Sequence, residues 1–123
     1  MSKEFEQLEV WQLAMDLAAD TRAATKYPTL RDDPDLRNQM RRAAVSIPSN
    51  IAEGYERPTA RDTLKFLGIA KGSAGELRTQ LLLAQRGRDM DGVVAGLLVE
   101  RCKSLSRMIG GYMRSIRVRC GDA

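Results

Sequence analysis

Basic residues near the C-terminus are the side chains in this sequence with the clearest potential for chemistry. Residues 101–119 contain no Asp or Glu, and four cations recur among them at helical spacing around one glycine. The members of this stripe are Lys103, Arg107, Gly110, Arg114 and Arg117. A cation that contacts a phosphate releases condensed counterions, so clustered Arg and Lys favour binding to nucleic acid without reading its sequence. The alternative is a solvated helix face with no ligand.

Two further pairs of cations stand one helical turn apart, Arg37 with Arg41 and Arg61 with Lys65. Of the 20 basic residues 15 are Arg, whose planar guanidinium can donate two hydrogen bonds to one phosphate. A GC-rich genome would produce the same excess of Arg over Lys. We predict that Arg61 and Lys65 act together with the C-terminal stripe in binding RNA or DNA.

The chain contains no histidine, which removes the commonest general base and the commonest metal ligand. Helical bundles that hold di-iron or haem do so through histidine, so both kinds of site are disfavoured. The two cysteines, Cys102 and Cys120, lack CxxC spacing and are expected to be reduced thiols. We therefore expect a protein that is not an enzyme, with no catalytic residue, no metal and no cofactor.

Polar residues cluster around a proline at Ser46, Pro48, Asn50 and Glu53. A catalytic role for them is a weak alternative. Proline deletes one helical hydrogen bond and frees the carbonyl of Ala44, so these side chains are expected to satisfy the backbone locally.

Apolar periodicity predicts four long helices, at about 8–26, 34–55, 60–86 and 92–117, with a polar connection at 28–33. Short turns between long helices indicate an all-α, antiparallel, up-down-up-down four-helix bundle that occupies residues 1–123 as one domain. The second helix keeps its phase through Pro48, which indicates a kinked but continuous helix. The alternative ends that helix near Ser46 and caps a new one at Asn50.

The first helix is apolar on two stripes, whereas a monomer's core requires one. The first stripe comprises Val10, Leu13, Ala14, Leu17, Thr21 and Ala24, and the second Leu8, Trp11, Met15 and Ala18. In the last helix, the predicted core positions are Val94, Leu98, Cys102, Leu105, Ile109, Tyr112 and Ile116. The extra apolar stripe of the first helix predicts a homo-oligomer.

Three glycines, Gly68, Gly72 and Gly75, interrupt the third predicted helix, each at a cost of about 1 kcal/mol relative to Ala. We expect them to let a neighbouring helix approach closely; a ligand site is the alternative. The opening MSKEFEQLEV lacks the features of a secretory signal, and no stretch is long and apolar enough to span a membrane, so we expect a cytoplasmic protein with no membrane partner.

Three segments carry a family resemblance: FEQLEVWQLAMDL at 5–17, RRAAVSIPSNIAEG at 41–54 and FLGIAKGSAGELRTQLLLA at 66–84. The chain resembles the bacterial four-helix-bundle proteins named from intervening sequences of 23S rRNA genes, a family that includes the accessory variability determinant of diversity-generating retroelements. The resemblance implies a homopentamer. For the retroelement relatives it also implies a basic surface that binds nucleic acid and a reverse transcriptase.

The sequence departs from the family pattern on the third helix. Relatives often carry an aromatic residue at the position of Gly68, a bulkier residue at Gly75 and an acid at Arg78. These departures alter the surface on which a partner of this family would be recognised.

Overall fold

A computed structural model describes residues 4–121, which are helical over most of their length and contain no strand. A 3-10 turn at Phe5–Gln7 precedes five helices. They are α1 (Glu9–Ala24), α2 (Pro28–Arg31), α3 (Pro34–Tyr55), α4 (Ala60–Arg86) and α5 (Gly92–Arg119). The four long helices begin and end within two residues of the predicted bounds, and the all-α class is confirmed.

The long helices pack side by side around one buried cluster to which all five helices contribute. Helix α4 packs between α3 and α5, and α1 contacts both α3 and α5. Ser46 of α3 meets Ser73 of α4 while Gly54 lies against Phe66, so these two helices run antiparallel. Helices α4 and α5 are also antiparallel, because Gly68 faces Met113 and Gln85 faces Gly96.

Side-chain caps fix where the helices begin. The carboxylate of Asp33 accepts a hydrogen bond from the backbone N–H of Leu36 at 3.3 Å, one residue before a proline at the first helical position. Thr59 caps α4 in the same way, and Asp91 accepts from two N–H groups of α5 at 2.9 and 3.0 Å. The sequence predicts Asp33 and Thr59 as caps and leaves Asp89 and Asp91 as alternatives for the last helix, of which Asp91 is the cap.

Helix α3 is continuous through Pro48, so the alternative of a break near Ser46 is wrong. The side-chain amide of Asn50 donates to the carbonyl of Ser46 at 2.8 Å and to its hydroxyl at 3.0 Å. That hydroxyl shares a 2.8 Å hydrogen bond with Ser73 of α4. The polar cluster therefore joins α3 to α4. We expected this cluster to supply a hydrogen bond to the carbonyl of Ala44, but Asn50 donates to the carbonyl of Ser46.

Three expectations about burial are wrong. The connection at 28–33 contains the short helix α2, whose Leu30 is fully buried and closes one end of the core. Leu13 and Val94, both assigned to the core, are each 41% exposed. A spacing of three and four residues does not determine which of two neighbouring residues faces the core. In α5 the residue next to Val94, Ala95, is the one that is buried.

No helix among residues 4–121 combines the length and the apolarity needed to cross a lipid bilayer.

Candidate nucleic-acid interface

The basic stripe of α5 lies on the side of that helix that adjoins α4. A Cβ at Gly110 would lie 3.4 Å from Cε of Lys71. The side chain of this α4 lysine therefore packs against α5 at the glycine in the middle of the stripe. Arg78 lies two turns further along α4, close enough to Cys102 of α5 to influence its thiol. We define the α4–α5 surface by its six cations: Lys71, Arg78, Lys103, Arg107, Arg114 and Arg117.

Five of the six cations make no ion pair with any residue from 4 to 121. Arg107, Arg114 and Arg117 are exposed, and the first of them donates only to the hydroxyl of Ser104, at 3.4 Å. The exception is Lys103, which is half-buried and has its Nζ 3.1 Å from a carboxylate oxygen of Glu100. Its charge is therefore partly compensated, and the other five supply most of the positive potential.

The remaining two predicted contacts, Arg61 and Lys65, lie in the first two turns of α4 and are both exposed. The antiparallel register puts these turns at the same end of the bundle as Arg117. Neither side chain forms an ion pair with a described residue. They add positive charge at the end of the bundle where α4 begins and α5 ends, although no contact joins them to the stripe.

When the sequence was considered alone, Lys71 was missed, and Arg78 was noted only as a departure from the family pattern and not as part of the basic surface. They are seven residues apart and so share one face of α4, but which face meets α5 depends on the rotation of the helix about its axis. The available signal was Gly110, because a glycine in the middle of a basic helical stripe leaves room for a side chain from the neighbouring helix.

The helical glycines do not have the role that we expected. A Cβ at Gly72 or Gly75 would meet no atom within 4 Å, and one at Gly68 would make only ordinary contact with Met113 at 3.9 Å. No helix of the subunit approaches Gly72 or Gly75. Close packing occurs instead at Gly54 of α3, where a Cβ would lie 3.2 Å from both Cβ of Phe66 and the carbonyl oxygen of Thr63.

Glu53, the last member of the polar cluster, forms an ion pair with Arg57, whose guanidinium stacks 5.0 Å from the ring centroid of Phe66. This contact links the end of α3 to α4. Like the hydrogen bonds of Ser46 and Asn50, it is accounted for by helix packing.

Two groups in the core have shifted pKa values. Burial raises the pKa of the Cys102 thiol from 9.0 to about 11, although Arg101 and Arg78 lower it in part. Burial also raises the pKa of Tyr112, against the opposing charge of Arg119. The thiol is therefore protonated and unreactive at neutral pH.

The family model of the 23S rRNA-intervening sequence protein matches residues 6–111. The chain belongs to this family. A comparison with curated proteins gave no match.

The matched segment contains the second and third of the motifs that carried the resemblance, and all of the first except Phe5. It also contains Lys71, Arg78, Lys103 and Arg107, whereas Arg114 and Arg117 lie beyond its last residue. The α4–α5 surface thus combines positions within the family match with positions outside it.

Proposed function

We propose that this protein is a non-enzymatic, oligomeric accessory protein of the cytoplasm that binds nucleic acid weakly and without strong sequence preference. The observation that carries the proposal is the α4–α5 surface, where Lys71 inserts into a stripe of cations that have almost no acidic partners. The family description is compatible with such an accessory role.

Phosphate neutralisation supplies the affinity. Arginine and lysine side chains on a helix surface reach phosphates through long, flexible stems, and each neutralised phosphate of a duplex adds about 0.9 to the slope of log K against log salt. The six cations of the α4–α5 surface therefore contribute at most about 5 to that slope per subunit. A Cβ at the exposed glycines Gly72 and Gly75 would meet no atom within 4 Å, so this part of α4 would let a sugar-phosphate backbone come close to the helix.

Self-association would repeat this surface and add weak contacts through effective concentration. Apolar side chains lie exposed on both sides of α1. We define the α1–α5 patch by the exposed Leu13 and half-buried Met108, which lie over the buried Leu17 and Leu105. We define the α1–α3 patch by the exposed Met15 and Val45 and the half-buried Trp11, which lie over the buried Pro48. Leu13, Met15 and Val45 are 41%, 43% and 49% exposed.

The two patches consist of different residues, so contact between one patch and the other patch of the next subunit would be head-to-tail, and it would generate a ring if the rotation between subunits closes. The family resemblance implies five subunits. We therefore propose a cyclic homo-oligomer, with the pentamer as the expected size.

The test is binding of fluorescein-labelled single- and double-stranded oligonucleotides, followed by anisotropy at increasing salt. Affinity should fall steeply with salt in the wild type, and Arg107→Glu with Arg114→Glu should abolish binding while circular dichroism stays helical. A matched control, Arg22→Glu with Arg42→Glu, makes the same change of charge at exposed arginines elsewhere.

The second candidate is an oligomeric scaffold that binds protein and no nucleic acid, which the exposed patches beside α1 favour. Absence of any shift of either probe at low salt, together with no retention on heparin, would replace the first proposal with this one. A reverse transcriptase, the partner implied by the retroelement relatives, would then be the first protein to test.

A further inference from the structure

A second group of cations surrounds a pocket on the other side of the molecule, where the C-terminal end of α1, the short helix α2 and the first two turns of α3 meet. The pocket is open to solvent and has a volume of about 270 Å³. This greatly exceeds the roughly 10–15 Å³ that one water molecule requires. Its lining residues are Thr25, Lys26, Arg31, Arg37 and Arg41, so four of the five are basic and none is acidic.

Two of these cations are held in place by helix α3. Arg37 and Arg41 are one turn apart, and each is half-buried. Their Nε atoms are buried and have no hydrogen-bond partner among residues 4–121. Buried donors of this kind are normally paired, so the unused Nε–H groups of these two arginines favour an acceptor that residues 4–121 do not supply.

Nearby carboxylates do not neutralise this pocket. Asp32 lies 3.7 Å from the guanidinium of Arg31, but both side chains are more than 60% exposed, so the pair is weak. The carboxylate of Asp33 accepts the N–H of Leu36 at the start of α3. Lys26, Arg37 and Arg41 form no ion pair with a described residue. Among residues 4–121, the only hydrogen bond of their charged groups is the one that Nη1 of Arg37 donates to the carbonyl of Arg31, at 3.5 Å.

We propose that this pocket binds a terminal phosphate group, either on a small molecule such as a nucleotide or at the end of a nucleic acid strand. Guanidinium groups bind phosphate through paired N–H donors, and the lysine adds a point charge. A phosphate monoester carries a charge of about −1.5 to −2 at neutral pH, whereas each internal phosphate of a strand carries one. Cations converging on one point therefore favour the terminal group.

This site is separate from the proposed function. The α4–α5 surface is an open stripe along two helices, whereas this pocket is a concave site formed by α1, α2 and α3. One can be removed without the other.

The direct test is to titrate the full-length protein with inorganic phosphate at constant ionic strength and follow the Nε–Hε NMR signals of Arg37 and Arg41. Saturable shifts of these two signals, in the millimolar range, are expected. In the variant Arg37→Met with Arg41→Met, isothermal titration calorimetry should show affinity reduced about tenfold or more. Arg107→Glu with Arg114→Glu should keep wild-type phosphate affinity.

The exposed rim supplies a second variant in case the α3 variant does not fold. Lys26→Met with Arg31→Met removes two cations whose side chains are exposed, and it should weaken phosphate binding several-fold at unchanged helicity. Wild-type protein that gives no saturable response, or folded variants with unchanged affinity, would overturn the proposal.

The two sources of the phosphate are distinguished by a further comparison. A nucleoside monophosphate is titrated beside two matched oligonucleotides, one with a 5′-phosphate and one with a 5′-hydroxyl. An affinity gain for the 5′-phosphate that disappears in the Arg37 and Arg41 variant supports a strand end as ligand. Binding of the mononucleotide, with no difference between the two oligonucleotides, supports a small-molecule ligand.

Discussion

Lys71 of α4 lies over Gly110 of α5, with its Cε atom 3.4 Å from the place that a Cβ of the glycine would occupy. The contact brings a cation from one helix into the basic stripe of the next. Gly110 lies about one turn from both Arg107 and Arg114 along α5, so the lysine adds a positive charge to the part of the stripe between these two arginines.

We first predict that Lys71→Met weakens binding of every oligonucleotide to a similar degree and lowers the slope of log K against log salt by about 1. Methionine keeps most of the packing against Gly110 and removes the charge. Lys71→Arg, the control, should keep the wild-type slope. Anisotropy at several salt concentrations measures both, and an unchanged slope for Lys71→Met would exclude this lysine from the interface.

The glycines should separate into two groups when each is changed to alanine. Gly54→Ala should destabilise the protein by about 1–3 kcal/mol, because the new methyl group would lie 3.2 Å from Phe66 and from the carbonyl of Thr63. Gly72→Ala and Gly75→Ala should each stabilise it by about 0.5–1 kcal/mol, since their methyl groups would enter open space. Urea denaturation measures the three values; stabilisation by Gly54→Ala would contradict the packing described.

Pro48→Ala should leave the fold intact and change stability by between zero and about 1 kcal/mol in the favourable direction. Proline in a helix interior is about 3 kcal/mol less favourable than alanine. Against this gain, the substitution removes two buried methylenes worth about 0.8 kcal/mol each and leaves a small cavity. The melting temperature is the measurement, with the exposed Pro58→Ala as control. Loss of helical circular dichroism in the variant would show that the ring of Pro48 is essential.

The raised pKa of Cys102 predicts a loss of stability at alkaline pH. Between the unfolded value of 9.0 and the folded value of about 11, the unfolded chain releases its proton and the folded chain keeps it. Stability is therefore fully present below pH 9 and falls by roughly 1–3 kcal/mol as pH rises through 11. Cys102→Ala should remove this part of the decrease, whereas the part due to Tyr112 remains. Urea denaturation from pH 8 to 11 compares the two proteins, and identical pH profiles would contradict the assignment.

Charges placed on either side of α1 should disrupt the oligomer. Wild-type protein is expected to scatter light as a species several times 13.7 kDa, and Leu13→Asp or Met15→Asp should each give a smaller species. Leu83→Asp, at a residue that is 58% exposed on α4, is the control and should keep the wild-type size. A monodisperse wild-type monomer would remove the ring from the proposed function.

The sequence was sufficient for the long helices because prolines and side-chain caps mark their ends, as at Asp33 and Thr59. It was insufficient for Leu30, since a helix of four residues has no periodicity to detect. Lys71 and the pocket around Arg37 were missed for a different reason. Both depend on how one helix is rotated against its neighbour, and spacing along a single helix does not determine that angle.

The ion pair between Asp20 and Arg101, at 2.6 Å, joins α1 to α5 across 81 positions of the chain. The contacts of α3 with α4, and of α4 with α5, connect helices that follow one another and so involve short loops. Docking α1 against α5 requires closure of a far longer loop and is favoured to occur late in folding. During synthesis on the ribosome, the apolar surface of α1 that faces α5 therefore stays uncovered until the helix that covers it has been made.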